Sequence, residues 1–287
     1  MNIVPSMIDI GMYEKALPDS LTWQQRFLAA RDANYDFVEI SIDDSDERID
    51  RLDWGRSERN DLYFTMQDCD MNIKSMSLSA HRRFPLGSED ATTRNQGLDI
   101  LEKAIEFSVD LGIRYILIAG SDVYHQDRNE RTLENYLRSL EKGVAWAAQA
   151  GVMLALENWD IRVDSVSDVM YYVNHFNSPW FQAYIDVGNL IYAEKNVLEE
   201  LELAKGHLAA VHVKDTKPGQ LRYVQPGEGD VPFIPVFEKL AELEFIGSLV
   251  FELWTGQLPD AFEIVKNSNE WLRAKMIEGW LAKQTLN

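Results

Sequence analysis

ENYLRSLEKGVAWAAQAGVMLALEN, residues 134–158, contains one complete joint of the fold. Apolar residues recur at intervals of three and four through Leu137, Leu140 and Val144, the spacing of one helical face. Gly151 supplies a stop, and VMLALEN (152–158) follows as a short, nearly continuous apolar run of strand length. A run this apolar fits a strand covered on both faces, as in a parallel sheet wrapped by helices.

The same joint recurs along the chain. Strands are expected at SMIDIGMYE (6–14), YDFVEISID (35–43), NIKSMSLSA (72–80), IRYILIAG (113–120), VMLALEN (152–158), FQAYIDVGN (181–189), LAAVHVKD (208–215) and SLVFELW (248–254). Helical patterns such as WQQRFLAARDA and DATTRNQGLDILEKAIEFSVDLG lie between them, the second closed by Gly112. Eight strands alternating with helices, at about thirty to forty residues per unit, is the count of a (β/α)8 TIM barrel. A doubly wound open sheet would carry G-x-G-x-x-G in its first strand-to-helix turn, which this chain lacks. No linker or low-complexity tract divides the sequence, so residues 1–287 are expected to form a single domain.

Composition narrows the function. With 46% hydrophobic and 26% charged residues the chain has ample core material. Its 28 basic and 47 acidic side chains give a net charge of -19, which repels nucleic-acid backbones and anionic membranes. An anionic small substrate would need a local cluster of Arg, Lys or backbone amides. The only cysteine, Cys69, rules out an internal disulfide and a thiolate metal cage. No basic leader followed by an apolar core and no long apolar run occurs, so a cytoplasmic location is expected.

Functional groups of such a barrel sit at the carboxyl ends of the strands, where the loops line one open mouth. Strand five ends in Glu157 and Asn158, strand six in Asp186 and Asn189, strand seven carries His212, Lys214 and Asp215, and strand eight carries Glu252. Taken singly, a strand glutamate is more often a rim salt bridge, and a strand histidine more often a hydrogen-bonded core residue. Taken together, Glu157, Asp186, His212 and Glu252 form a mixed oxygen and nitrogen set suited to one divalent ion such as Mn²⁺ or Zn²⁺, with Co²⁺ and Mg²⁺ also compatible. Three carboxylates converging on one mouth repel strongly unless a cation sits among them. The rival is neutralisation by Lys214 and Lys217; strand alternation puts His212 and Lys214 on one face.

Two loops supply positive groups. SAHRRFPLGS (79–88) gathers His81, Arg82 and Arg83, and DTKPGQLRYVQPGEGDVPF (215–233) carries Lys217 and Arg222 between glycines. The second is a natural lid or phosphate cradle. Tyr13, Trp159, Tyr192 and Trp254 could wall a sugar site or simply pack under the loops, while Glu14, Lys15, Asp43 and Asp44 read as rim charges.

GMYEKALP (11–18), DFVEISIDDSDERIDRLDW (36–54), SLSAHRRFPLGSED (77–90), IDVGNL (185–190), AVHVKDTKPG (210–219) and the FELW ending of strand eight together resemble a known family. It is that of the sugar-phosphate 3-epimerases of the xylose isomerase-like barrels, in particular the L-ribulose-5-phosphate (L-xylulose-5-phosphate) 3-epimerases of L-ascorbate and pentose catabolism. The resemblance implies a divalent metal on Glu157, Asp186, His212 and Glu252, and proton exchange at C3 by Glu157 and Glu252. It also implies a small ketose phosphate as partner, with a homodimer as the common assembly. Substrate contacts are expected from His81, Arg82, Asn189, Lys214, Lys217 and Arg222, with Asn189 standing where related free-ketose 3-epimerases carry a histidine.

The chemistry fits. A C–H beside a ketone becomes acidic enough to lose its proton when a metal chelates the C2 carbonyl and C3 hydroxyl oxygens, stabilising a cis-enediolate. Inversion then needs a base on each face. A ketose or hexulose-6-phosphate isomerase, or a free-ketose 3-epimerase, would use the same metal. A sugar-phosphate binding protein would bind without turnover, and a barrel endonuclease needs a basic face and more histidine ligands.

Overall fold

The computed structural model describes residues 8–159, 162–256 and 258–285. Its centre is a closed barrel of eight parallel strands in sequence order, β1 (Asp9–Tyr13), β2 (Phe37–Ile42), β3 (Ile73–Leu78), β4 (Tyr115–Ala119), β5 (Met153–Glu157), β6 (Phe181–Asp186), β7 (Leu208–Val213) and β8 (Ser248–Phe251), with β8 pairing β1. Ser6 and Met7 of the expected first strand lie outside the described residues. The quoted joint is a helix over Glu130–Ala150 leading into β5, and Gly151 at φ 72° takes the left-handed conformation that ends the helix.

Alternation along each strand sorts the side chains into two cores. Outward residues such as Ile40, Met76, Ile116, Leu154, Ile185, Val211 and Leu249 pack against the helices. Inward residues Phe37, Leu117, Ala155, Tyr184, Ala210 and Val250 fill the barrel. Burial of a large apolar side chain of this kind contributes roughly 1.5–3 kcal/mol, so this plug closes the lower barrel firmly. Above it the inward positions turn polar: Glu39, Ser41, Ser77, Glu157, Asp186, His212 and Glu252 are all buried. Parallel register staggers these groups around the mouth: Ser41 stands beside Ser77 and Asp186 beside His212, whereas Glu39 stands beside Ser75, Glu157 beside Tyr184 and His212 beside Val250.

Several expected strands end early: NIKSMSLSA stops at Leu78, LAAVHVKD at Val213 and SLVFELW at Phe251. FQAYIDVGN stops at Asp186, and Val187–Tyr192 is a helix, because the Asp186 carboxylate accepts the amide of Asn189 at 3.0 Å and caps it. Glu14, expected as a rim charge, is fully buried: it pairs with Arg48 at 2.7 Å and Arg51 at 2.9 Å and accepts the Ser41 amide at 2.7 Å. The two arginines come from 46–53, after β2, where sequence spacing gave no hint of a partner just past β1.

Candidate metal centre and active site

Four strand ends bring Glu157, Asp186, His212 and Glu252 together, each buried, with one donor atom apiece within 4.8 Å of the others. His212 Nδ1 lies 3.3 Å from Glu157 Oε1, 3.7 Å from Glu252 Oε2 and 3.8 Å from Asp186 Oδ2. The opposite ring nitrogen, Nε2, meets Glu39 Oε1 at 2.7 Å. Nδ1 itself has no hydrogen-bond partner, a costly state for a buried polar atom unless a ligand completes it.

Lys214 reaches the same centre. Its ammonium stands 2.6 Å from Glu252 Oε2 and 2.8 Å from Asp186 Oδ2, the latter an ion-pair contact without hydrogen-bond alignment. The stem passes over Gly188, where a Cβ would lie 2.5 Å from Lys214 Cγ, so a side chain at 188 would block this path. Trp254 Nε1–H donates to Glu252 Oε1 at 3.1 Å. Both oxygens of Glu252 are thereby pinned.

Electrostatics follows the count of charges. Burial alone would push the Lys214 ammonium down, but Asp186, Glu252 and Glu157 outweigh it and hold it charged. For Glu252 the burial cost is outweighed by Lys214 and then His212, leaving its carboxyl at about 2. Asp186 moves the other way, to about 7, because burial and the neighbouring Glu252 and Glu157 exceed the help of Lys214. Burial opposes a charged His212, yet Glu39, Glu157 and Glu252 raise it well above the usual imidazole range. Glu39, Glu157, Asp186 and Glu252 thus face one ammonium and one imidazole, and the cluster draws in positive charge. The orphaned Nδ1, the buried Asp186 Oδ2 and the three-carboxylate, one-imidazole donor set all fit a divalent cation.

Two cavities share this mouth. A tight one, with about 20 Å³ free, touches Glu157, His212 and Glu252 and is roofed by Arg82, Trp159, Arg222 and Trp254. A larger one of about 530 Å³ lies beside it, lined by Tyr124, Asn158, Asn189, Tyr192 and Leu221; Arg82 and Trp159 form the shared wall. The Arg82 guanidinium sits 4.5 Å from the Trp159 ring, and Arg222 sits 4.1 Å from Trp254 and 5.9 Å from Trp159. Neither arginine forms an ion pair with a described residue, and the Nε of each is buried without a partner. Lys15, by contrast, is committed to Asp43 at 2.5 Å.

Arg222 is presented by the loop after β7, and Asp215 clamps its base. The Asp215 carboxylate accepts the amides of Thr216, Gly227, Gly229 and Val231 at 2.8–3.3 Å. Asn189 donates through Nδ2 to Asn158 O at 2.9 Å, and its Oδ1 has no hydrogen-bond partner.

The other expected contacts lie elsewhere. His81 turns into the protein and meets Gly97 O at 3.1 Å, burial holding its imidazole down at about 4. It lines neither cavity, because the 3₁₀ turn Ala80–Arg82 points neighbouring side chains in different directions. Lys217 lines neither cavity either; it bridges Gln220 in a tight hairpin. Glu39 is the participant that sequence reading passed over: FVEISI reads as a buried strand, and only barrel closure brings its glutamate beneath β7.

The closed barrel and its carboxylate cluster define a class, and the family model of the xylose isomerase-like TIM barrel matches residues 27–275. The chain is 42% identical over 282 residues to an L-ribulose-5-phosphate 3-epimerase UlaE of Escherichia coli O1:K1, covering 98% of this chain and 99% of that one. The UlaE of Shigella boydii serotype 18 is 43% identical over 283 residues, with the same coverage. The chain belongs to the L-ribulose-5-phosphate 3-epimerase family within the xylose isomerase-like TIM barrels. An L-ribulose 3-epimerase structure superposes with TM-score 0.77 at 18% identity over 97% of both chains. A Methylomonas sp. D-allulose 3-epimerase structure gives 0.76 at 16%, over 93% of this chain and 97% of that one; both show likeness of fold.

Proposed function

We propose that this protein is a metal-dependent isomerase that interconverts L-ribulose 5-phosphate and L-xylulose 5-phosphate by inverting C3. The observation that carries the reading is the meeting of Glu157, at the end of β5, and Glu252, just past β8, around the unpartnered His212 Nδ1. Identity to enzymes named for this reaction supports it.

Glu157, Asp186, His212 and Glu252 would hold one divalent ion, Mn²⁺ or Zn²⁺. When bound, it would withdraw electron density from the substrate's ketone and make the neighbouring C–H acidic. Glu157 and Glu252 then act as the paired bases: one removes the C3 proton and the other returns a proton to the opposite face, with the roles exchanged in the reverse direction. Lys214 and Trp254 hold the Glu252 carboxylate at a fixed angle, so Lys214 serves this glutamate in addition to any substrate contact. Arg82 and Arg222, without an ion-pair partner among the described residues at the mouth of an acidic protein, would take the phosphate. Asn189 lines the larger cavity, and its buried, unpartnered Oδ1 would accept a substrate hydroxyl.

The same reading takes residues 1–287 as one cytoplasmic domain acting on a small molecule. Net charge -19 supports the exclusion of nucleic acid, and no described helix is long and apolar enough to cross a membrane. The assembly it implies, a homodimer, is checked by light scattering. The test of function is conversion of L-ribulose 5-phosphate to its C3 epimer by metal-loaded protein, lost in Glu157→Gln and in Glu252→Gln. A parent protein that binds the sugar without converting it would leave only a binder.

A further inference from the structure

Glu39 is a carboxylate in the middle of the barrel, fully buried, inward-facing on β2 between Tyr13 of β1 and Ser75 of β3. A charge in such a place is expensive unless every oxygen is satisfied. Oε1 is satisfied by His212 Nε2 at 2.7 Å, and Oε2 accepts the Tyr184 hydroxyl at 2.8 Å. The Tyr184 ring in turn stands edge-on to the His212 ring, centroids 4.7 Å apart. The imidazole is therefore held at one nitrogen and along one face.

We propose that Glu39 is the positioning residue of the metal centre, fixing His212 so that Nδ1 is its ligand nitrogen. This rests on the reading of Glu157, Asp186, His212 and Glu252 as a divalent-cation site. A carboxylate can only accept, so the Nε2 that meets Glu39 keeps its hydrogen, and Nδ1 is the nitrogen left to give up its proton and offer a lone pair to a cation. Nδ1 is the nitrogen facing Glu157, Glu252 and Asp186, whereas Glu39 stands on the far side of the ring and outside the donor cluster. Flipping the ring would turn a carbon toward Glu39 and strip one oxygen of its partner. Tyr184 adds a second constraint, since it anchors the other oxygen and so the angle of the carboxylate. The negative charge behind the imidazole also makes Nδ1 a better donor to a cation. Carboxylates placed behind a ligand histidine in this way typically raise metal affinity about 10- to 100-fold.

The rival is a purely structural role, in which Glu39 satisfies two buried donors and stabilises the barrel without acting on the centre. The two are separated with Co²⁺ alone, no sugar present, on the full-length parent protein, Glu39→Gln and Tyr184→Phe. Co²⁺ affinity is measured by competition with a chromophoric chelator, the visible absorption of bound Co²⁺ is recorded, and the melting temperature of each metal-free protein is taken alongside. Glu39→Gln is expected to weaken Co²⁺ binding about 10- to 100-fold and to alter its absorption bands. Tyr184→Phe, which keeps the ring but frees one oxygen, is expected to weaken binding by a smaller factor, above threefold. Co²⁺ affinity in Glu39→Gln within twofold of the parent, with unchanged bands, overturns the assignment whatever its melting temperature. If Glu39→Gln fails to fold, an unchanged affinity in Tyr184→Phe overturns it instead. A parent that binds no Co²⁺ would remove the metal reading of the whole site, whereas a parent that binds with Glu39→Gln unaffected removes the Glu39 assignment alone.

Discussion

Replacing Arg222 by methionine keeps an unbranched stem against Trp254 and deletes the guanidinium, which lies 4.1 Å from that ring with no ion-pair partner among the described residues. Because Arg222 pairs with no described carboxylate, its loss frees no buried anion among the described residues, and the effect on catalysis reads as lost contact with substrate. A hydrogen bond to a charged group contributes about 1.5–3 kcal/mol, which at roughly 1.4 kcal/mol per factor of ten becomes about 10- to 150-fold in kcat/KM. Arg82→Met should cost a similar factor, and the double variant roughly the product if the two grip different phosphate oxygens. The assay is kcat/KM for L-ribulose 5-phosphate and for unphosphorylated L-ribulose, measured on parent and variants. The phosphorylated sugar should lose the full factor, and the free sugar less than about threefold, since no phosphate is there to be held. Equal losses for both sugars, or no loss for either, would show that the arginines do not bind phosphate.

Three further expectations follow from the geometry. Glu157→Gln and Glu252→Gln should each lower kcat about 10²- to 10⁴-fold in single-turnover assays with the metal content matched, and a loss below tenfold would remove that glutamate as a base. Gly229→Ala would place a Cβ 2.0 Å from Asp215 Oδ1, displacing the clamp under the Arg222 loop; KM for the phosphorylated sugar should rise at least tenfold while kcat falls less, and an unchanged KM would unlink the clamp from Arg222. His81, held neutral at about 4 by burial, has a folded pKa below the ordinary 6.5, so the unfolded chain takes up its proton first. Its contribution to stability is therefore whole above about pH 6.5, is lost as pH falls toward 4, and amounts to roughly 3 kcal/mol over that window. Urea midpoints of parent and His81→Gln should converge on acidification across this range, and parallel curves would contradict the assignment.

The four clustered side chains were legible because each lies at or next to a strand end, and in a parallel barrel strand ends converge. VMLALE, FQAYID, AAVHV and VFEL each carry one group of metal-binding type where an inward position meets the mouth. The same alternation placed Lys214 on the face of His212, and its ammonium does reach the carboxylates. Loop residues were less legible, because alternation says nothing outside a strand. His81 and Arg82 are neighbours in sequence, yet a 3₁₀ turn sends one to Gly97 and the other to the cavity wall. Lys217 and Arg222 share a loop, and only Arg222 reaches the mouth, because the hairpin at 217–220 turns the first away. Glu39 and Glu14 were hidden for a different reason: their partners, His212 and Tyr184, Arg48 and Arg51, come from distant segments that closure of the barrel and docking of the 46–53 segment bring to them. Asp186 reads from the sequence as a candidate ligand and not as a helix cap, yet its acceptance of the Asn189 amide is what ends β6.

The central claim, that Glu157 and Glu252 exchange the proton at C3 of a ketose phosphate, is tested most directly in D₂O. Metal-loaded protein is incubated with L-ribulose 5-phosphate, and the sugar protons are followed by NMR. The expected result is solvent deuterium at C3 of both L-ribulose 5-phosphate and L-xylulose 5-phosphate, with C1 unlabelled. Deuterium at C1 with C3 untouched would make the protein an aldose–ketose isomerase, and no exchange at any carbon would contradict the account.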